Sequence, residues 1–194
     1  MEQKTEIEIL TDIIKRRRSI FPVSYSDREV PEEVVRKILE NANYAPTHKL
    51  TQPWRFIVFR KEGKLKLGHE LARLYMEITP KNQFLQKKYD SIIEKAEQAS
   101  CIIMLNVKLH SDKVPEWEEL AALACAVQNM ALSAEALNVG AYWSSPAMIA
   151  NLNDYLNLEE QEKCYGLFYM GYHNYEPREA LRSPIDEKVK WIES

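Results

Sequence analysis

The sequence predicts an α+β or mixed α/β fold. Helical and extended patterns follow the order helix, helix, strand, two helices, strand, long helix, strand, strand. That is not the regular alternation of a dinucleotide-binding Rossmann domain. The run from Cys101 to Val107 is apolar but for Asn106 and of strand length, as in a strand covered on both faces. The five glycines (Gly63, Gly68, Gly140, Gly166 and Gly171) form neither a G-x-G-x-x-G fingerprint nor a P-loop. With 194 residues, 45% of them hydrophobic and 28% charged, the chain reads as one domain over 1–194 with a sizeable core.

Ile7, Leu10, Ile13 and Ile14 recur at helical spacing, so residues 6–17 read as an amphipathic helix. Its last turn gathers Lys15, Arg16, Arg17 and Arg18, favoured there by the macrodipole. A second helix runs over 31–44. Pro31 suits its first position, and Val34, Val35, Ile38, Leu39 and Ala42 make one apolar face until Pro46 stops it. Residues 54–59 read as a buried strand, entered through Ala45-Pro46-Thr47-His48-Lys49-Leu50-Thr51-Gln52-Pro53. Residues 64–79 and 82–99 read as two helices whose thin apolar content suits a mobile cover. After the strand at 101–107, residues 116–137 form the longest helix. From Leu120 it is apolar on nearly every side, which suits several packing partners, another subunit among them. Residues 140–144 and 164–172 read as strands. The polar tail, 174–194, keeps Ile185, Val189, Trp191 and Ile192, which need a surface to cover.

The formal net charge of −3 gives a nucleic-acid role little support. Cys101, Cys125 and Cys164 are far apart and lack metal-ligand spacing. They read as buried free thiols of a reducing cytoplasm. The charged N-terminus has no apolar signal core. No metal is expected, because His48, His69, His110 and His173 are scattered. Ser144 and Ser145 lack the elbow and base of a hydrolase.

Two segments carry binding chemistry. Arg16-Arg17-Arg18-Ser19 concentrates guanidinium groups and a hydroxyl, the donors a phosphate needs, although a helix end in water also accounts for them. Residues 45–56 offer imidazole, indole and amide groups suited to a flat polar ligand. Without a glycine loop, side chains must hold any phosphate. Trp143-Ser144-Ser145-Pro146 follows a strand, where α/β folds place ligands; a turn with two hydroxyls is the plainer reading.

In this order and spacing, these pieces resemble the nitroreductase-like family of FMN-dependent oxidoreductases. The resemblance runs from Ile9 to Trp191. It rests on Arg17-Arg18-Ser19, Ala45-Pro46 leading to Gln52-Pro53-Trp54-Arg55-Phe56, the alanine-rich helix, the 140–145 strand and Phe168-Tyr169-Met170-Gly171-Tyr172. Ala45-Pro46-Thr47-His48-Lys49 and Val114-Pro115-Glu116-Trp117-Glu118 look like its short bacterial branch. The resemblance implies a mixed central sheet flanked by helices, built as an intertwined homodimer with FMN at the subunit interface. It implies that Arg17, Arg18 and Ser19 hold the phosphate and ribityl end, with Arg182 adding a phosphate contact. It implies that Trp143, Ser144 and Ser145 line the flavin, and that Tyr44 and His48 reach it from the partner chain. The implied activity is hydride transfer from NAD(P)H to nitroaromatic, quinone-like or other conjugated acceptors by a ping-pong mechanism. An FMN carrier or sensor with little turnover is the alternative.

Overall fold

The structure, a computed structural model, describes residues 4–176 and 179–193. Helix α1 (Glu6–Arg16) opens on a capping box: Thr5 N–H donates to Glu8 Oε2 at 2.8 Å, and Glu8 N–H donates to Thr5 Oγ1 at 3.4 Å. Helix α2 (Glu32–Ala42) begins just after Pro31. Strand β1 (Trp54–Arg60) is followed by α3 (Glu62–Ile78), α4 (Gln86–Gln98) and β2 (Cys101–Lys108). Then come α5 (Glu116–Ala136), β3 (Val139–Ser144), the short α6 (Leu152–Leu156) and β4 (Glu162–Tyr172). The predicted elements are all present. A 3-10 turn at Ala147–Asn151 and α6 fill the β3–β4 connection, which has no clear hydrophobic period to announce them.

The four strands form one sheet in the order β1-β2-β4-β3, and every named pair is antiparallel. Among the described residues, the parallel pairing is a single bridge, where Ser19 pairs with Ala141 on the outer side of β3. In β2, Cys101, Ile103, Leu105 and Val107 face a core shared with α2 and α5. Ile102 and Met104 face a second core shared with α3 and α4. Both faces are therefore covered, which explains the apolar run.

Three expectations need correction. Strand β1 is an edge strand rather than a buried one: Trp54 is buried, but most of the strand is half-exposed. The hairpin of α3 and α4 is not a thinly attached cover. It buries Leu67, Leu71, Leu74, Tyr75 and Ala96, because a few apolar residues suffice when they gather on the face turned to the sheet, although Met76 and Ile78 stay exposed. Of the three thiols, Cys101 is buried and Cys164 half-buried, whereas Cys125 is exposed on the outer face of α5. Burial pushes the Cys101 thiol up to about 12 and the Cys164 thiol up to about 11. Among the described residues, no helix is long and apolar enough to cross a membrane.

Candidate functional site

The arginine run lies where α1 ends against the free edge of β3. Ile20 N–H donates to the Ala141 carbonyl at 3.1 Å, next to the Ser19 bridge. Ser19 is thereby fixed two positions short of Trp143, about 7 Å along the strand. Arg18 Nη1 donates to the carbonyls of Lys15 at 2.6 Å and Arg17 at 2.9 Å, closing the helix end. With Ser19 and Arg182 it lines a cleft of about 330 Å³ between α1 and the tail. Tyr175 and Glu179 line the same cleft, so one carboxylate stands among its cations.

The run divides by role. Arg16 pairs with Glu135 at 3.0 Å, tying α1 to α5. Arg17 is half-buried and does not line the cleft; its backbone N–H closes α1 on Ile13.

Trp143, Ser144 and Ser145 stand at the end of β3. The indole N–H donates to the Tyr165 carbonyl at 3.1 Å, so the ring is held although the residue is 36% exposed. It packs over Gly166, whose φ of +155° strongly favours glycine; a Cβ there would sit 1.9 Å from Trp143 Nε1. Ser145 is exposed, and Ser144 is half-buried beside α4. On the same face, burial raises the pKa of the Tyr142 hydroxyl, with the Ser144 hydroxyl acting against it.

Tyr44 and His48 are not brought to this place within the chain. Tyr44 is 85% exposed above a cleft between α2 and α5 lined by Asn41, Asn129 and Ser133. His48 Nδ1 lies 2.5 Å from Glu118 Oε2 at the start of α5. Lys49, Leu50 and Gln52 all have φ between +43° and +55°, a cluster of non-glycine residues in left-handed backbone. Such strain persists only where the surroundings over-determine it. Here Thr47 Oγ1 accepts from Gln52 N–H at 3.1 Å, and Lys49 Nζ donates to the Lys113 carbonyl at 2.7 Å.

Several contributors were not legible beforehand. Glu119 is fully buried and accepts from both the backbone N–H and Nδ1 of His110 at 2.8 Å. Glu116 accepts from the Tyr165 hydroxyl at 2.6 Å and from Lys163 at 2.8 Å. Three glutamates in one first turn are a helix-start signal; their individual partners come from distant segments. Gly166 and the lysines of α4 beside Ser144 were also missed, because only tertiary neighbours mark them. Among the described residues, no group of three or more His, Cys, Asp or Glu side chains is arranged to hold a metal.

The sequence model described as "Nitroreductase family" matches residues 14–172. YfhC of Bacillus subtilis, provisionally named an NAD(P)H nitroreductase, is 26% identical over 190 residues, covering 96% of each chain. A nitroreductase-like family protein from Bacillus cereus superposes over 100% of both chains with a TM-score of 0.85 at 24% identity. A provisionally named nitroreductase from Desulfovibrio desulfuricans, solved in complex with FMN, covers 98% of this chain and 99% of its own. Its TM-score is 0.74 at 26% identity.

Proposed function

Because the chain belongs to the nitroreductase family, we propose that it is an FMN-dependent NAD(P)H oxidoreductase that acts as a homodimer, each chain one FMN-binding domain over residues 1–194. Its acceptors are nitroaromatic, quinone-like or other conjugated compounds. One observation carries the reading. The Ser19–Ala141 bridge joins the cationic cleft of Arg18 and Arg182 to the strand end of Trp143, Ser144 and Ser145. A ligand with a phosphate at one end and a flat ring at the other matches that pairing. The residues fit FMN: two guanidinium groups and a hydroxyl meet the phosphate and ribityl end, with Arg17 behind them. Glu179 must turn toward one of those cations when an anion enters. The held Trp143 indole and the Ser144 and Ser145 hydroxyls line the ring, and Tyr44 and His48 approach from the second chain. Bound FMN supplies the hydride chemistry; the chain binds, orients and shields.

Donor and acceptor use one open face in turn, since the described residues form no separate dinucleotide-binding unit. Initial rates at several fixed acceptor concentrations are expected to give parallel double-reciprocal lines. Intersecting lines, with a ternary complex trapped by an unreactive nicotinamide analogue, would break this scheme. Yellow protein whose released chromophore is FMN, bleached anaerobically by NADH or NADPH, supports the enzyme. Binding of FMN with no bleaching by either donor would leave only a carrier or sensor.

Homodimerisation rests on unpartnered apolar surface. Ala121, Ala124 and Cys125 are exposed along α5, and Ile7 and Ile14 along α1. The outer side of β1 meets no strand among the described residues, and a groove of about 600 Å³ runs between it and α2. Val35, Leu39, Phe56 and Val58 line that groove. Trp191 and Ile192 in the tail are nearly four-fifths exposed. An intertwined dimer, with each tail laid along the partner, removes both surfaces from water together. The free thiols fit a cytoplasmic setting.

A further inference from the structure

Helix α4 carries Lys88, Ser91 and Lys95 at i, i+3 and i+7, a spacing that places all three on one face. That face is turned toward the end of β3. Together with Ser144 the three residues line a cavity of about 100 Å³, floored by Leu71, Met148 and Tyr169. Neither lysine has Asp or Glu three or four positions away along the helix. Among the described residues neither forms an ion pair, while Arg73 on the neighbouring α3 is paired with both Glu70 and Glu77. Lys88 instead rests its ammonium 4.7 Å from the centre of the Tyr75 ring, a contact it can leave by rotating one side chain. Two uncompensated cations and two serine hydroxyls thus surround one small apolar-floored space. Its neighbour is the strand end that lines the proposed flavin.

We propose that Lys88, Ser91, Lys95 and Ser144 form a subsite for the carboxylate of an anionic aromatic acceptor, setting a preference for carboxylated over uncharged substrates. The proposal rests on the flavin reading above. The cavity is well below the roughly 300–1,000 Å³ of a pocket that holds a whole drug-sized ligand. It therefore takes one charged substituent while the ring lies toward the flavin. The apolar floor suits the ring edge next to the carboxylate, and the lysines at the rim attract the anion before it docks.

The test uses the flavin-loaded homodimer and two pairs of probes. Calorimetric titration with benzoate and benzamide needs no turnover. The parent is expected to prefer benzoate, and Lys95→Met and Lys88→Met are each expected to reduce that preference about tenfold, the scale of one charged hydrogen bond. Lys95→Glu should abolish it. Both lysines are exposed, so circular dichroism should show parent-like folding. In steady state, the ratio of kcat/KM for a nitrobenzoate over the matching nitrobenzamide should fall by the same factor, with the KM for NADH or NADPH at the parent value. Benzoate binding unchanged in all three variants would overturn the subsite. A raised donor KM with an unchanged acceptor ratio would also overturn it, assigning the lysines to a donor phosphate. Lysine-dependent benzoate binding without reduction of any nitroaromatic would uphold the anion site and remove the oxidoreductase reading instead.

Discussion

At Gly166 the backbone and the Trp143 indole occupy adjoining space, and only the missing Cβ allows both. Gly166→Ala is expected to destabilise the protein by at least about 2 kcal/mol, from the strained φ and the overlap with the ring. Indole fluorescence and the chemical-denaturation midpoint report both effects; a parent-like midpoint would show that the ring moves aside freely. The arginines divide by partner in the same way. Arg18→Ala should weaken FMN binding roughly ten- to a hundredfold, the loss of one charge-assisted hydrogen bond. Arg17→Ala should weaken it less, because Arg17 stands outside the cleft. Arg16→Ala should leave affinity near the parent value, since its guanidinium serves Glu135. Flavin fluorescence titration ranks the three, and equal affinities throughout would remove the phosphate assignment.

At the scale of elements, the start of α5 fastens three separate segments. The carboxyl of Glu116 is held below the usual carboxylate range, chiefly by the Lys163 hydrogen bond and then by that of Tyr165. A depressed folded-state pKa means that the stabilisation is complete above the unfolded carboxylate value. It is lost as pH falls through the lowered one. Lys163→Met should therefore narrow the stability difference from the parent as pH drops below about 4, with the largest gap near neutrality. A gap independent of pH would assign the loss to packing alone. The α3–α4 hairpin supplies a second check. Leu71 is fully buried in the core on that side of the sheet, so Leu71→Ala should cost about 2–5 kcal/mol. A cost under about 1 kcal/mol would mean that the hairpin is loosely attached after all.

At the scale of the whole molecule, the exposed apolar surface supports the proposed homodimer. Light scattering at low micromolar concentration should show only dimer, with a buried interface above about 2,000 Å². Removing the chain after Pro184 takes away Ile185, Val189, Trp191 and Ile192 and should shift the protein toward monomer. Cys125, exposed on the outer face of α5 in one chain, should resist alkylation in the native dimer and react once the dimer is dissociated. Fast alkylation of a native, flavin-loaded dimer would place the interface elsewhere.

The sequence by itself determined the kind and order of the main elements, because hydrophobic period, caps and proline stops are written in neighbouring residues. It also located the cationic run and the strand end, whose chemistry depends on residue type. Tertiary structure decided what those pieces meet. Nothing local says that β1 lies at the sheet edge, since strand order depends on pairings tens of residues apart. The apolar residues of α3 and α4 are too few to signal a core by count, but Leu67, Leu71, Leu74, Tyr75 and Ala96 come together against Ile102 and Met104. His48 lies 70 positions from Glu118, and the residues between them give no sign of the pairing. The arginine run reads from sequence as one cluster. The fold splits it: the Arg16 side chain goes to Glu135 on α5, Arg18 closes the helix end and lines the cleft, and Arg17 stands outside that cleft, because successive side chains at a helix terminus point in different directions.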